Sequence, residues 1–371
     1  MKMTQRVVDT FLELVKIDSE TKFEREIADF LTKKLTDLDV EVKEDDSAKE
    51  TGHAAGNLIC TVPGNTDAPT IYFTCHMDTV VPGLGVKPEI RDGYIYSDGT
   101  TVLGADDKAG IAALIDAIAT MKEQDVKHGD IQLIITAGEE SGLRGARALD
   151  PSELKAEFGY ALDSDGPVGT IITAAPNQSK VNAIIRGKKA HAGVAPEKGV
   201  SAITVASKAI ANMPLGRIDE ETTANIGRFE GGSQTNIVCD YVEITAEARS
   251  LVKEKMVAQT DAMVKAYEEA AAEMGAKAEV EVNVVYPGFK QTEEDHVVQV
   301  ATRAAKEIGR EVTYKHSGGG SDANIIAGHG IPTVNLGVGY EEIHTTSERI
   351  AIKELSALSE LVVALVKEAT K

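Results

Sequence analysis

The sequence predicts an α/β protein, a mostly parallel sheet with helices on both faces, interrupted by a smaller α+β unit of ferredoxin-like order. Three observations lead there. Short Val-, Ile- and Leu-rich runs alternate with helical segments through the first half of the chain, as in a parallel sheet. From about residue 178 the runs change to apolar–polar alternation, the mark of an antiparallel sheet with one wet face. At 371 residues the chain is longer than most single cores, so two domains are expected.

Residues 4–16 and 23–38 have helical apolar spacing. NLICTVPG (57–64) and TIYF (70–73) read as strands, and KAGIAALIDAIATMKEQ (108–124) as an amphipathic helix. IQLIIT (131–136) is a strand, SGLRGARAL (141–149) a short helix and FGYALD (158–163) a further strand. SKVNAIIRG then opens the alternating region, followed by the helix VSAITVASKAIANM and the strands TTANIGRFEGG and NIVCDYVEITAEARS. The helix KEKMVAQTDAMVKAYEEAAAEMG and the strand AKAEVEVNVVYPGF close it. This β-α-β-β-α-β order implies four antiparallel strands with two helices on one face. The larger domain is therefore discontinuous, 1–177 with 291–371, and 178–290 is inserted, with Tyr286-Pro287-Gly288 as the return hinge. If the strand NIVCDYVEITAEAR lay at the side of its sheet, it would leave an open edge that a second copy of the chain could cover.

Bulk properties exclude several function classes. A formal charge of −20 opposes nucleic acid, whose binding needs clustered Lys and Arg. Every apolar run is shorter than the ~20 residues of a membrane span. The N-terminal MKMTQRVVDTFLELVKI includes Asp9, Glu13 and Lys16, which suits a packed helix better than a signal peptide. Three widely spaced cysteines, Cys60, Cys75 and Cys239, fit a reduced cytoplasmic protein.

Four apolar runs end in acids or histidine: IYFTCHMD at His76 and Asp78, QLIITAGEE at Glu139 and Glu140, FGYALDSD at Asp163 and Asp165, and TVNLGVGYEEIH at His344. Ligands of open α/β sheets collect beyond such carboxyl ends, and carboxylate with imidazole is the donor set of a metal site. The i, i+2 spacing of His76 and Asp78 puts them on one face, where Asp78 can orient the imidazole, while Cys75 points away and is structural. In GADDKAG (104–110) one aspartate is explained as a helix cap, and the second suggests another task. Behind a buried strand, Glu139 and Glu140 repel each other. A metal relieves that repulsion for one and leaves its neighbour free as a base. One of Asp163 and Asp165 is a ligand candidate and the other a turn residue. The glycine run of HSGGGSDAN, with Gly319 and Ser321, reads as a substrate-facing loop. His53, His128, His296 and His329 read as ordinary surface residues.

In this order CHMDTV, GADDKAG, AGEESGLRGA, ALDSDGP, SGGGSDAN and EEIHTTSE resemble the dinuclear zinc exopeptidases that include peptidase T, carboxypeptidase G and acetylornithine deacetylase. The resemblance spans essentially the whole chain and is strongest to peptidase T and its shorter relatives. It implies two divalent ions, zinc or else cobalt or manganese. His76 and Asp163 would be the separate ligands of one ion, Glu140 and His344 those of the other, and Asp106 the bridge. It further implies a cis peptide at Asp106–Asp107, Asp78 orienting His76, and Glu139 as general base. His191, often supplied across a dimer interface, would polarise the scissile carbonyl, and Asn236 and Arg249 would hold the substrate. The activity implied is release of a terminal residue from short peptides. A carboxypeptidase or N-acyl amino acid deacylase would use the same site, and a non-catalytic metal- or peptide-binding relative is the reading from another class.

Overall fold

Ile71–His76 and Ile131–Thr136 are buried at every position, as strands covered on both faces must be. The computed structural model describes residues 3–371 and divides into two compact units. Among the described residues the first unit is 3–174, 291–317 and 321–371. At its centre Ile131–Thr136, Ile71–His76, Phe158–Ser164 and Thr333–Gly337 run side by side and parallel. Leu58–Val62 and Glu41–Glu44 extend the sheet antiparallel on one side, and Thr170–Ala175 lies antiparallel on the other.

The strand period of two sorts side chains between two cores. Ile71, Phe73, Ile131, Leu133 and Ile135 join the main cluster with the helices Met3–Val15, Ala105–Glu123 and Ile352–Ala369. Tyr72 and Ile134 face the other way, against Leu149, Ala156 and Ile326. The mostly parallel sheet with helices on both faces is therefore present. A small antiparallel sheet that the sequence does not announce joins Glu89–Arg91, Tyr94–Tyr96, Arg349–Ala351 and Tyr340–Glu341. Among the described residues no helix is long and apolar enough to cross a membrane.

The second unit is residues 175–290 with 318–320. Its antiparallel sheet has the order Gly216–Arg217, Thr222–Gly231, Tyr241–Ser250, Asn177–Arg186, Lys277–Tyr286. Val181, Ala183, Ile185, Val242, Ile244, Ala246 and Ala248 face the helices Ala202–Asn212 and Lys253–Met274. Two expectations are corrected. The boundary falls at 174/175 rather than 177/178, and residues 318–320 group with this unit. Gly320 shows why: a Cβ there would meet the Tyr286 ring at 2.4 Å. The strand Tyr241–Ser250 is also no edge, since Thr222–Gly231 pairs on one side and Asn177–Arg186 on the other. Alternating burial reports the faces of a strand and carries no information about its edges.

Candidate metal centre

The four parallel strands deliver their C-terminal ends to one rim, where the acidic and imidazole groups meet. His76 closes its strand with its side chain almost wholly buried. Its Nε2 lies 3.1 Å from Asp106 Oδ1 and 3.9 Å from Asp163 Oδ1. His344 Nε2 lies 3.2 Å from the other Asp106 oxygen, Oδ2, and 2.9 Å from Glu140 Oε1. Asp106 thus offers one oxygen to a His76–Asp163 pair and the other to a His344–Glu140 pair. The cis peptide at Asp106–Asp107 is present.

Asp107 is the alternative candidate, because its ligand atoms lie within 4.8 Å of those of His76 and Asp163. Its oxygens are otherwise engaged, Oδ2 accepting the His76 amide at 3.3 Å and Oδ1 the Gly110 amide at 3.3 Å. The second bond is that of a helix N-cap, so the second aspartate is the cap and the first faces the histidines. From the residues alone the pair had left this assignment open.

Electrostatics match a cation site. Burial would raise the Asp106 carboxyl, but hydrogen bonds to His344 and His76 hold it well below the usual carboxylate range. Those to Asp106 and Glu140 raise His344 to about 10. Burial opposes a charged His76, yet contacts with Asp106 and Asp78 outweigh it and raise its pKa. Burial and the nearby Asp106 push Asp163 well up. Glu139 is pushed up by burial, with Asp322 and Glu140 adding to the shift against His76. The cluster holds more carboxylates than its two imidazoles can balance, and bound cations would supply the missing charge.

Surrounding bonds fix the ligands. His76 Nδ1 donates to the Asp78 carbonyl at 2.9 Å, with the Asp78 carboxylate at 3.5 Å. That carboxylate instead accepts the Glu139 and Glu140 amides at 3.0 and 3.2 Å. Asp78 therefore orients His76 mainly through its backbone and uses its side chain to hold the glutamate turn. Among the described residues no hydrogen bond or ion pair engages the Glu139 carboxylate, which suits a free base. Asn335 exchanges bonds with the Asp163 backbone, its Oδ1 accepting at 3.0 Å and its Nδ2 donating at 2.6 Å, and the Tyr340 hydroxyl donates to Asp163 Oδ1 at 3.3 Å. Glu348 accepts three amides with one buried carboxylate: Leu103 at 2.7 Å, Gly104 at 2.8 Å and Asp106 at 3.0 Å.

Sequence reasoning missed Asn335, Tyr340 and Glu348, which act on residues far away in the chain. It also missed Asp322, buried and raised to about 6 by its burial, with one oxygen bonded to Thr136 and the other without a partner. His53 and His128 are buried rather than surface residues, because each has a ring nitrogen bonded inside the protein.

The remaining candidates lie elsewhere. Asp165 is in the turn after its strand, its carboxylate 3.4 Å from the Ser164 hydroxyl. Ser321 caps the helix Asp322–Gly328 in a capping box with Asn324, and its hydroxyl accepts from Asn335 at 3.2 Å. In the second unit His191 is exposed and bridges to Ile237, and the Asn236 carbonyl accepts the Ala192 amide at 2.9 Å. Arg249 bonds Glu247 and the Gly318 carbonyl, and Gly319 is half-buried.

Peptidase family M20/M25/M40 matches residues 72–368. The chain belongs to this family. As an M20 peptidase it is similar in structure to aminopeptidase PepT from Bacillus cereus ATCC 10987, with 67% identity and a TM-score of 0.96 over 99% of both chains. It is equally similar, at a TM-score of 0.96 and 51% identity, to a tripeptidase from Staphylococcus aureus subsp. aureus Mu50, over 99% of this chain and 98% of that one. The Bacillus subtilis (strain 168) protein YqjE is 65% identical over 367 residues, 99% of each chain. This M20 peptidase is a peptidase T-like member of the family and a metal-dependent hydrolase of peptides.

Proposed function

We propose that the chain is an aminopeptidase that removes the N-terminal residue from tripeptides, using two divalent metal ions, zinc in the first instance, and Glu139 as general base. The observation that carries this reading is the division of the Asp106 carboxylate between the His76–Asp163 and His344–Glu140 pairs. A shared carboxylate flanked by two imidazole–carboxylate pairs fits two ions of the zinc, cobalt or manganese class. The choice of an amino terminus rests on similarity to the PepT aminopeptidase and the tripeptidase.

Held by His76, Asp163, Asp106, Glu140 and His344, two divalent ions would supply Lewis acidity that lowers the pKa of a water and polarises the substrate carbonyl. Glu139 takes the proton of that water and passes it to the leaving amine. Its neighbour Glu140 is turned to His344 and cannot serve both roles. Asp78 sets the register of the two by holding their amides. By the family resemblance His191 polarises the scissile carbonyl, Asn236 and Arg249 hold the substrate backbone or carboxylate, and the loop with Gly319 and Ser321 faces the substrate.

A homodimer formed through the second unit belongs to the same reading, with the covered edge reassigned. Thr222–Gly231 pairs with Gly216–Arg217 only at Thr223 and Ala224, so among the described residues 225–231 have no strand partner on that side, and neither do residues 277–284 on their outer side. Three cysteines without disulfides support a reducing, cytoplasmic setting.

The test is substrate polarity. The metal-loaded protein should cleave a free tripeptide and lose nearly all turnover when its amino group is acetylated. Equal or faster cleavage of the blocked peptide would replace this reading with the carboxypeptidase or deacylase one.

A further inference from the structure

The turn that carries Glu139 and Glu140 is held from two directions, and only one of them involves the metal cluster. Asp78 takes the amides of both glutamates. From elsewhere a line of three side chains, the buried Glu24 and His53 and the half-buried Ser141, reaches the same turn. The Glu24 carboxylate, without solvent exposure, lies 2.6 Å from His53 Nδ1 and accepts the Lys22 amide on the same oxygen at 2.7 Å. Since that oxygen is an acceptor, Nδ1 carries the proton. His53 Nε2 then faces the Ser141 hydroxyl at 3.2 Å, and that hydroxyl lies 3.2 Å from the Gly138 carbonyl.

The imidazole also packs directly on the turn. A Cβ at Gly138 would fall 2.2 Å from His53 Cε1, and the residue has φ +71°, so both space and conformation require glycine. A neutral His53 accepts the Ser141 hydrogen at Nε2. A protonated His53 donates to Ser141, which then donates to the Gly138 carbonyl. Both forms keep the His53–Ser141 bond, so the tie survives either protonation state.

We infer that Glu24, His53 and Ser141 are positioning residues that fix the backbone of residues 138–141 and so aim the Glu139 carboxylate. The inference rests on Glu139 being the general base. A base displaced by a fraction of an ångström loses proton-transfer efficiency without losing substrate affinity, and displacements near 1 Å cost about 10²-fold. The bonds of the line end on Ser141 and Gly138, while Glu140 in the same turn is held separately, its amide by Asp78 and its carboxylate by His344. Loss of the line should therefore lower kcat more than it changes KM or metal content.

The test compares Ser141→Ala, Ser141→Thr, His53→Gln and Glu139→Gln with the parent in the metal-loaded full-length chain. Kinetics on a free tripeptide, elemental analysis and hydrogen–deuterium exchange of the amides of residues 136–144 are measured for each. Ser141→Ala and His53→Gln should lower kcat about tenfold, leave KM within about twofold and keep the parent's metal content. Their amides in this segment should exchange faster, and Ser141→Thr, which retains the hydroxyl, should recover most of the loss. Parental kcat with parental exchange in both variants overturns the inference, as does a kcat loss that follows metal loss. Full turnover by Glu139→Gln would instead remove the base assignment, whatever His53 does. The exchange measurement needs no turnover and judges the tie even if the tripeptide is not the substrate.

Discussion

The central sheet of the first unit and the sheet of the second are built on opposite principles. Ile71–His76 and Ile131–Thr136 are buried at every residue, whereas Tyr241–Ser250 alternates buried with half-buried positions after an exposed Tyr241. The first sheet ends in side chains locked by further bonds, with Asp163, His76 and the glutamate turn each held by neighbours. The second carries its candidate groups largely on exposed connections, where His191 and Asn236 are fixed through backbone pairing. The groups proposed to hold ions thus sit at strand ends braced by further side-chain bonds, and those proposed to meet the substrate sit largely on exposed connections braced by backbone pairing.

Asp106 probes this contrast with the largest effect. Asp106→Ala should lose both ions together and reduce activity to background, as read by elemental analysis and tripeptide turnover. Retention of two ions would remove it from the centre. Next comes the pair beside it. Glu139→Gln should keep its metal and lose about 10²–10⁴-fold in kcat, while Glu140→Gln should weaken one metal site. Exchanged phenotypes would reverse the assignment within the pair. His191→Ala should cost about 10²-fold in kcat at unchanged metal content, since it removes one stabilising donor from the reacting carbonyl. A change in metal content there would contradict the division between the two sheets. Stability gives the smallest contrast. Leu133→Ala, fully buried in the first sheet, should cost about 2–5 kcal/mol in denaturant unfolding. Val284→Thr, on the exposed edge of the second sheet, should stay within about 0.5 kcal/mol.

These contrasts also explain what the sequence could disclose. His76 and the pairs Glu139–Glu140 and Asp163–Asp165 stand out in the sequence because an acid or imidazole directly after a continuously apolar run is expensive unless it has a task, whereas which member of each pair does what comes from the resemblance. The parallel sheet was legible for the same reason, since such runs fit little else. Asp106 and Asp107 could not be separated by spacing, because the difference lies in which carboxylate meets the backbone amides of His76 and Gly110. The place of Tyr241–Ser250 within its sheet depends on pairing order, which alternation does not encode. His53 looked like a loop residue because its partners, Glu24 and Ser141, lie 29 and 88 positions away. Asn335 and Tyr340 escaped for the same reason, being 172 and 177 positions from Asp163.

The Glu348 carboxylate has a consequence for the order in which this protein is made. It accepts the amide of Asp106 from 242 positions further along the chain, and it follows His344 by one short loop. A ribosome, adding about 5–20 residues per second, releases the Asp106 segment long before either residue exists. The nascent chain thus carries Asp106 without its backbone clamp and without the His344 imidazole until residues 344–348 have been made. The backbone clamp on Asp106 therefore forms only between segments made far apart in time.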